Sequence, residues 1–122
     1  MEQVVLIDTN VISRYFNNSL DSNLVSILET SSFKISVITR IELLSWDKYN
    51  AKQLELLTDF VSNCDIVSLD DNIIVKTIEL RRKYKLKIPD AIIAASALLS
   101  NATLISLDND FKNVKGLKVV GL

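Results

Sequence analysis

Four acids in this chain stand where an acid is locally out of place. Asp8 closes the apolar run Val4-Val5-Leu6-Ile7. Glu42 lies among Ile38, Ile41, Leu43 and Leu44. Asp90 follows Pro89 at the opening of the most apolar stretch. Asp108 follows Leu104-Ile105-Ser106-Leu107, with Asp110 two residues later. Each has an ordinary explanation alone. Asp8 can cap a helix, Asp90 can sit in a first helical turn where the dipole favours an anion, Asp108 can form a turn, and Glu42 can extend to water from a helix edge. Together they suggest chemistry, because acids at two strand ends and at one helix opening can converge on a single sheet edge. Clustered carboxylates repel one another, and burying them unpaired costs several kcal/mol each. A hard divalent cation, Mg²⁺ or Mn²⁺, removes the conflict with oxygen ligands alone. Two such ions about 4 Å apart suit hydrolysis of a phosphodiester.

The rest of the composition narrows the chemistry. The chain has no histidine, which excludes His-ligated metals, Ser-His-Asp triads and Cys-His dyads. Its single cysteine, Cys64, cannot form an intramolecular disulfide and fits a reducing compartment. With 14 basic and 15 acidic residues the net charge is −1, so overall charge carries no sign of nucleic-acid binding. Two glycines and one proline leave no room for a glycine-rich phosphate loop or a flexible linker, and the expectation is one domain over residues 1–122. A hydrophobic content of 48% and a mean hydropathy of +0.25 imply a well-filled core or an apolar surface hidden in an oligomer. The N-terminus has no signal-peptide pattern, and the apolar stretch 91–99, interrupted by Ser96, is too short to span a bilayer. The chain therefore reads as soluble and cytoplasmic, with no membrane partner.

The elements that must position the acids follow from periodicity. Val4 to Ile7, apolar and β-branched, reads as a strand buried on both faces, and in an open α/β sheet reactive groups lie just beyond such strand ends. Val11, Ile12, Tyr15 and Phe16 predict a helix starting at Thr9 or Asn10 and broken at Asn17-Asn18-Ser19. Leu20, Leu24, Ile27 and Leu28 predict a second, with Asp21 in its first turn. A strand from Phe33 to Val37 precedes a helix with Ile38, Ile41 and Leu44 on its apolar face. Leu54, Leu57, Phe60 and Val61 mark a fourth helix. Asp65 to Leu69 reads as a strand, and Asp70-Asp71 opens a helix to about Lys85. Pro89 opens the buried helix that carries Asp90. Strands from Thr103 to Leu107 and from Leu117 to Val120 complete the chain. Alternation of strands and helices predicts an α/β fold with a mainly parallel central sheet.

The segments Val5-Leu6-Ile7-Asp8-Thr9-Asn10, Ile38-Thr39-Arg40-Ile41-Glu42-Leu43-Leu44, Ile88-Pro89-Asp90-Ala91-Ile92-Ile93-Ala94-Ala95-Ser96-Ala97 and Leu104-Ile105-Ser106-Leu107-Asp108-Asn109-Asp110-Phe111 occur in this order along nearly the whole chain. In them the chain resembles PIN-domain ribonucleases and, by its size, the VapC-type toxins of toxin–antitoxin pairs. The resemblance implies a PIN-like three-layer fold and metal-dependent endoribonuclease activity with Mg²⁺ or Mn²⁺. It implies Asp8, Glu42, Asp90 and Asp108 as the acidic quartet that holds the metal and carries catalysis. Thr9 or Asn10 would support Asp8 by hydrogen bonding. Ser106 stands where the family often has threonine, and Asp110 is a second acidic position, so Asp108 and Asp110 both remain candidates to face the metal. An RNA substrate, a cognate antitoxin whose tail plugs the pocket with Arg or Lys, and a homodimer are also implied. Ser106-Leu107 departs from the usual threonine followed by a small or polar residue.

Two other readings compete. A phosphoacceptor receiver domain also gathers acids around Mg²⁺, but it needs paired acids after its first strand and an acceptor Asp ending its third, whereas Asp8 stands alone and Asp65 begins its strand. A PIN fold that binds RNA or a partner without cutting would have lost its acids, and the quartet is intact.

Overall fold

The computed structural model describes residues 4–122. Its centre is β1 (Val4–Ile7), buried because Val5, Leu6 and Ile7 offer side chains to both sides of the sheet. The chain runs through α1 (Thr9–Phe16), α2 (Ser22–Thr30), β2 (Ser32–Ser36), α3 (Val37–Ser45), α4 (Ala51–Ser62), β3 (Asp65–Val67), α5 (Asp71–Lys83), α6 (Ile88–Leu99) and β4 (Thr103–Ile105). A 3₁₀ turn (Asn109–Phe111) and β5 (Val119–Val120) follow. The strand order is β3-β2-β1-β4-β5, and every pairing is parallel. The winding reverses between β1 and β4, and open α/β sheets bind ligands beyond the carboxyl ends of strands at such a reversal. This order also differs from the 2-1-3-4-5 order of flavodoxin-like receivers, so the receiver reading is excluded.

Period-two alternation divides the core into two layers on either side of the sheet. Leu6 and Leu104 face Ile73 and Leu80 of α5, the buried run Ala91–Ala97 of α6, and Phe111. Val5, Ile7, Ile35 and Ile105 face Val11 and Ile12 of α1, Leu24 and Leu28 of α2, Leu43 of α3, and Leu57 and Val61 of α4. The result is the three-layer α/β architecture expected from the sequence, with a sheet that is parallel throughout the described residues.

The boundaries depart from expectation where side chains capture backbone groups. Ser36 Oγ accepts the Ile38 amide at 3.1 Å, which makes Val37 the first residue of α3 rather than the last of a strand. Asp21 is the N-cap of α2 rather than a first-turn residue, and its carboxylate takes the Asn23 amide at 2.8 Å. Asp70 caps α5 as expected, through the Ile73 amide at 2.9 Å, and the helix ends at Lys83. β3 and β4 stop at Val67 and Ile105, two residues earlier than periodicity predicts, and β5 starts at Val119. Ile41, placed on the apolar face of α3 by spacing, is 56% exposed, because Thr39 and Leu43 occupy the buried stripe instead.

Candidate active site

Strand register builds one half of the site. Val5, Leu6 and Ile7 pair with Thr103, Leu104 and Ile105, so the next residues, Asp8 and Ser106, are neighbours at the carboxyl edge. The Asp8 amide donates to the Ile105 carbonyl at 2.9 Å, and the Ser106 hydroxyl donates to Asp8 Oδ2 at 2.7 Å. Asp8 is also the N-cap of α1, its Oδ1 accepting the Thr9 amide at 2.8 Å. The residue is only 6% exposed. Desolvation raises its pKa above the ordinary aspartate value. The bonds from Ser106 and Thr9 pull it back down, and the charges of Glu42 and Asp108 push it up again.

Thr9 ties this half to α3. Its hydroxyl donates to Glu42 Oε1 at 2.7 Å and lies 3.1 Å from the Thr39 hydroxyl. A hydroxyl carries one proton, so with Glu42 taking that of Thr9, Thr39 is the donor in the second contact. Thr39 is fully buried one helical turn before Glu42. Glu42 itself is exposed. It also borders a hollow of about 520 Å³ lined by Phe16, Leu43, Trp46, Tyr49 and Leu56, and it is the one charged residue among the described residues that line it.

The other half comes from α6 and the 3₁₀ turn. Pro89 and Asp90 occupy the first turn of α6, whose N-cap, Lys87, makes no side-chain capping bond. Asp108 caps the 3₁₀ turn, its Oδ1 accepting the Asp110 amide at 2.9 Å. Ser106 joins the halves, since the oxygen that donates to Asp8 accepts the Asp108 amide at 3.0 Å. One carboxylate oxygen from each of Asp90, Asp108 and Asp110 lies within 4.8 Å of the others. Asp90 is pushed up to about 6, first by burial and then by the charges of Asp108, Asp8, Asp110 and Glu42. The other four sequence-predicted acids therefore all act on the Asp90 carboxyl group.

This donor set fits a hard cation. The two ion pairs among the described residues, Lys34–Asp65 and Lys76–Glu79, leave all five acids without a cationic partner. Three carboxylate oxygens gathered this closely, with water left to complete the shell, are the kind of donors that Mg²⁺ or Mn²⁺ takes, so Asp90, Asp108 and Asp110 would hold such an ion. Asp108 and Asp110 both belong to this cluster. Of the two residues expected to support Asp8, Thr9 does so through its backbone amide, while the buried Asn10 Oδ1 has no hydrogen-bond partner.

Two supporting residues escaped the sequence reading. Thr39 carries no sequence signal beyond its place in the segment around Glu42. Gly121 has φ +118°, and a Cβ there would lie 2.4 Å from the Ser106 carbonyl oxygen, so only glycine lets the C-terminal segment close over Ser106. The available signal was rarity, since Gly121 is one of two glycines in 122 residues.

The model of the PIN domain family matches residues 5–117. The chain belongs to the PIN domain family. Among solved structures, this PIN domain is similar to a chain of a toxin–antitoxin complex from Klebsiella pneumoniae, at 33% identity and a TM-score of 0.79 over 95% of each chain. It is also similar to a chain of VapBC2 from Rickettsia felis bound to a promoter DNA fragment, at 25% identity and a TM-score of 0.81 over 97% of this chain and 98% of that one. DNA-bound VapBC from Salmonella typhimurium, at 20% identity, shares the fold with a TM-score of 0.81 over 98% of each chain. A comparison with curated proteins finds no significant match. No helix of this PIN domain, among the described residues, is long and apolar enough to cross a membrane.

Proposed function

We propose that this PIN domain is a metal-dependent endoribonuclease and the toxin of a type II toxin–antitoxin pair. The observation that supports the reading is the grouping of Asp90, Asp108 and Asp110, with Asp8 and Glu42 near enough for their charges to act on Asp90 and with no ion pair to any of the five among the described residues. Asp90, Asp108 and Asp110 would hold Mg²⁺ or Mn²⁺, with Asp8 beside them. Bound there, the ion supplies the positive charge that a phosphodiester transition state requires and the acidity that makes water a nucleophile at neutral pH.

The side chains divide the remaining work. Ser106 and the Thr9 amide fix the Asp8 carboxylate in place, so it reaches the reacting state without reorganising. Glu42 is held at Oε1 by Thr9, which leaves Oε2 free to accept a proton from water at the pocket rim. The likeness to chains of toxin–antitoxin complexes supports a protein partner for this chain as well. A partner segment carrying Arg or Lys would neutralise the same acids that the metal does and so silence the enzyme.

The test is cleavage of structured RNA by the purified chain with and without Mg²⁺ or Mn²⁺. Metal-stimulated endonucleolytic products that vanish on chelation are expected. Failure of both metals to promote any cleavage, with metal binding intact, would leave a non-catalytic PIN module.

A further inference from the structure

Glu42 links the acids to an aromatic hollow. Its charge acts on Asp90, and it borders the space of about 520 Å³ beside α3. Trp46 lines that space four residues after Glu42, one turn further along the same face. Trp46 is 53% exposed and belongs to neither core layer. Tyr49 meets it edge to face, with ring centroids 4.8 Å apart. Phe16, 39% exposed, forms a further wall and is fixed by edge contacts with Tyr15 and Phe60. Two side-chain amides line the same space with donors to spare. Gln53 Oε1 accepts the Asn50 amide at 3.0 Å and Asn17 Oδ1 accepts the Ser19 amide at 3.1 Å, so in each the NH₂ group remains to donate. Exposed aromatic faces beside N–H donors suit a nucleobase, which stacks through its plane and accepts at its ring nitrogens and carbonyl oxygens. An apolar helix of a partner protein would cover the rings but leave those amides unpaired. Arg14, Lys48 and Lys52 each adjoin a lining residue in the chain, are exposed, and belong to neither ion pair among the described residues. They supply positive charge for the phosphates on either side of such a base.

We propose that this hollow is a subsite for one unpaired base of the RNA, stacked on Trp46 while a neighbouring phosphate lies at the acids. The same carboxylate borders the hollow and acts on Asp90, so a strand seated at the acids passes the rings. The proposal rests on the nuclease reading and narrows its substrate to a single-stranded or looped segment, because a base inside a duplex must first leave its stack. Holding that base fixes which phosphate is presented to the acids.

Trp46 is the only tryptophan, so its fluorescence reads the subsite directly. The full chain carrying Asp90→Asn, in which cleavage is expected to be slow, is titrated with a short single-stranded RNA of mixed sequence and with the same strand annealed to its complement. The single strand is expected to quench Trp46 and the duplex to leave it unchanged. In the otherwise unsubstituted chain, Trp46→Ala is expected to raise KM for a looped RNA by about tenfold, the scale of one lost base–aromatic stack, with kcat altered less. Trp46→Phe, which keeps a ring, is expected to recover most of that loss. If Trp46→Ala misfolds by circular dichroism, the quench on the native ring still decides. Equal quenching by both RNAs, quenching by neither, or a Trp46→Ala KM equal to that of the parent would overturn the proposal. So would quenching by a leucine-rich amphipathic peptide and not by RNA, which would make the hollow a seat for protein. Metal-stimulated cleavage with Trp46 unquenched removes the subsite and spares the nuclease. A quench by the single strand, with no cleavage by the unsubstituted chain, spares the subsite and removes the nuclease.

Discussion

Asp8 and Asp90 stand at the same edge of the sheet, yet the fold treats their charges in opposite ways. Asp8 is buried and receives two hydrogen bonds, from the Thr9 amide and the Ser106 hydroxyl, which favour its ionised form against desolvation. Asp90 is half-buried and accepts no side-chain hydrogen bond among the described residues. Its neighbours are other acids, and its pKa rises to about 6. The protein itself orients Asp8. The position of Asp90 becomes favourable for a carboxylate only when a cation arrives. One half of the site is thus preorganised, and the other is left for the cation of the proposed function to complete.

The largest effect should come from removing either charge. Asp90→Asn and Asp8→Asn are each expected to reduce metal-stimulated RNA cleavage by about 10³-fold or more, on the scale of a lost transition-state electrostatic contact. Circular dichroism should show the fold retained. Equal cleavage by either variant and the parent would end the assignment.

A smaller effect should follow from removing the brace and leaving the charge. Ser106→Ala deletes the donor to Asp8 and the acceptor of the Asp108 amide. A loss of about 10–100-fold in metal affinity or activity is expected, as for other residues that orient ligands. Stability should also fall by about 1–3 kcal/mol, because a buried acceptor loses its partner. Isothermal titration with Mn²⁺ and urea denaturation measure the two. An unaltered Mn²⁺ affinity would show that Asp8 needs no brace.

Gly121→Ala acts on the same brace from behind. The new Cβ would collide with the Ser106 carbonyl, and φ +118° disfavours any side chain. A destabilisation of about 2 kcal/mol is expected from strain of this kind, read from the urea midpoint. A midpoint equal to that of the parent would mean that the segment relaxes freely.

The smallest effect separates the halves by pH. In the folded chain Asp90 keeps its proton to about pH 6, whereas its ordinary value is 3.8. Between those values the folded state binds more protons than the unfolded one, so this group makes metal-free stability fall as pH rises through the window. Asp90→Asn removes that contribution. Above the window the metal-free variant should be the more stable protein, by an amount of order 1 kcal/mol after solvent screening. Mn²⁺ should reverse the ranking, since only the parent gains stability by binding it. Thermal melts across the pH range, with chelator and with Mn²⁺, provide the check.

Much of this was legible in the primary structure because strand and helix periods are local. The apolar run before Asp8, the dense apolar face behind Asp90 and the acid after the Thr103 strand each announced an element end, and an α/β layout follows from their alternation. Cap chemistry was also local, as Asp70 shows on α5. Ile41 was misplaced for a different reason. Spacing alone admits either of two neighbouring stripes on α3, and the choice went to the one holding Thr39 and Leu43, which packs on the rest of the core.

By itself the chain determined which residues could be acids at element ends and that no histidine could share their work. These follow from residue identity and from the fixed rise and pitch of regular backbone. Only the tertiary structure decided that β4 lies against β1 and brings Ser106 to Asp8 across 98 residues of sequence. It likewise decided that Thr9 reaches Glu42 and that Gly121 closes over Ser106. Strand order and register are settled by how two apolar layers fill space together, and no local pattern encodes that result.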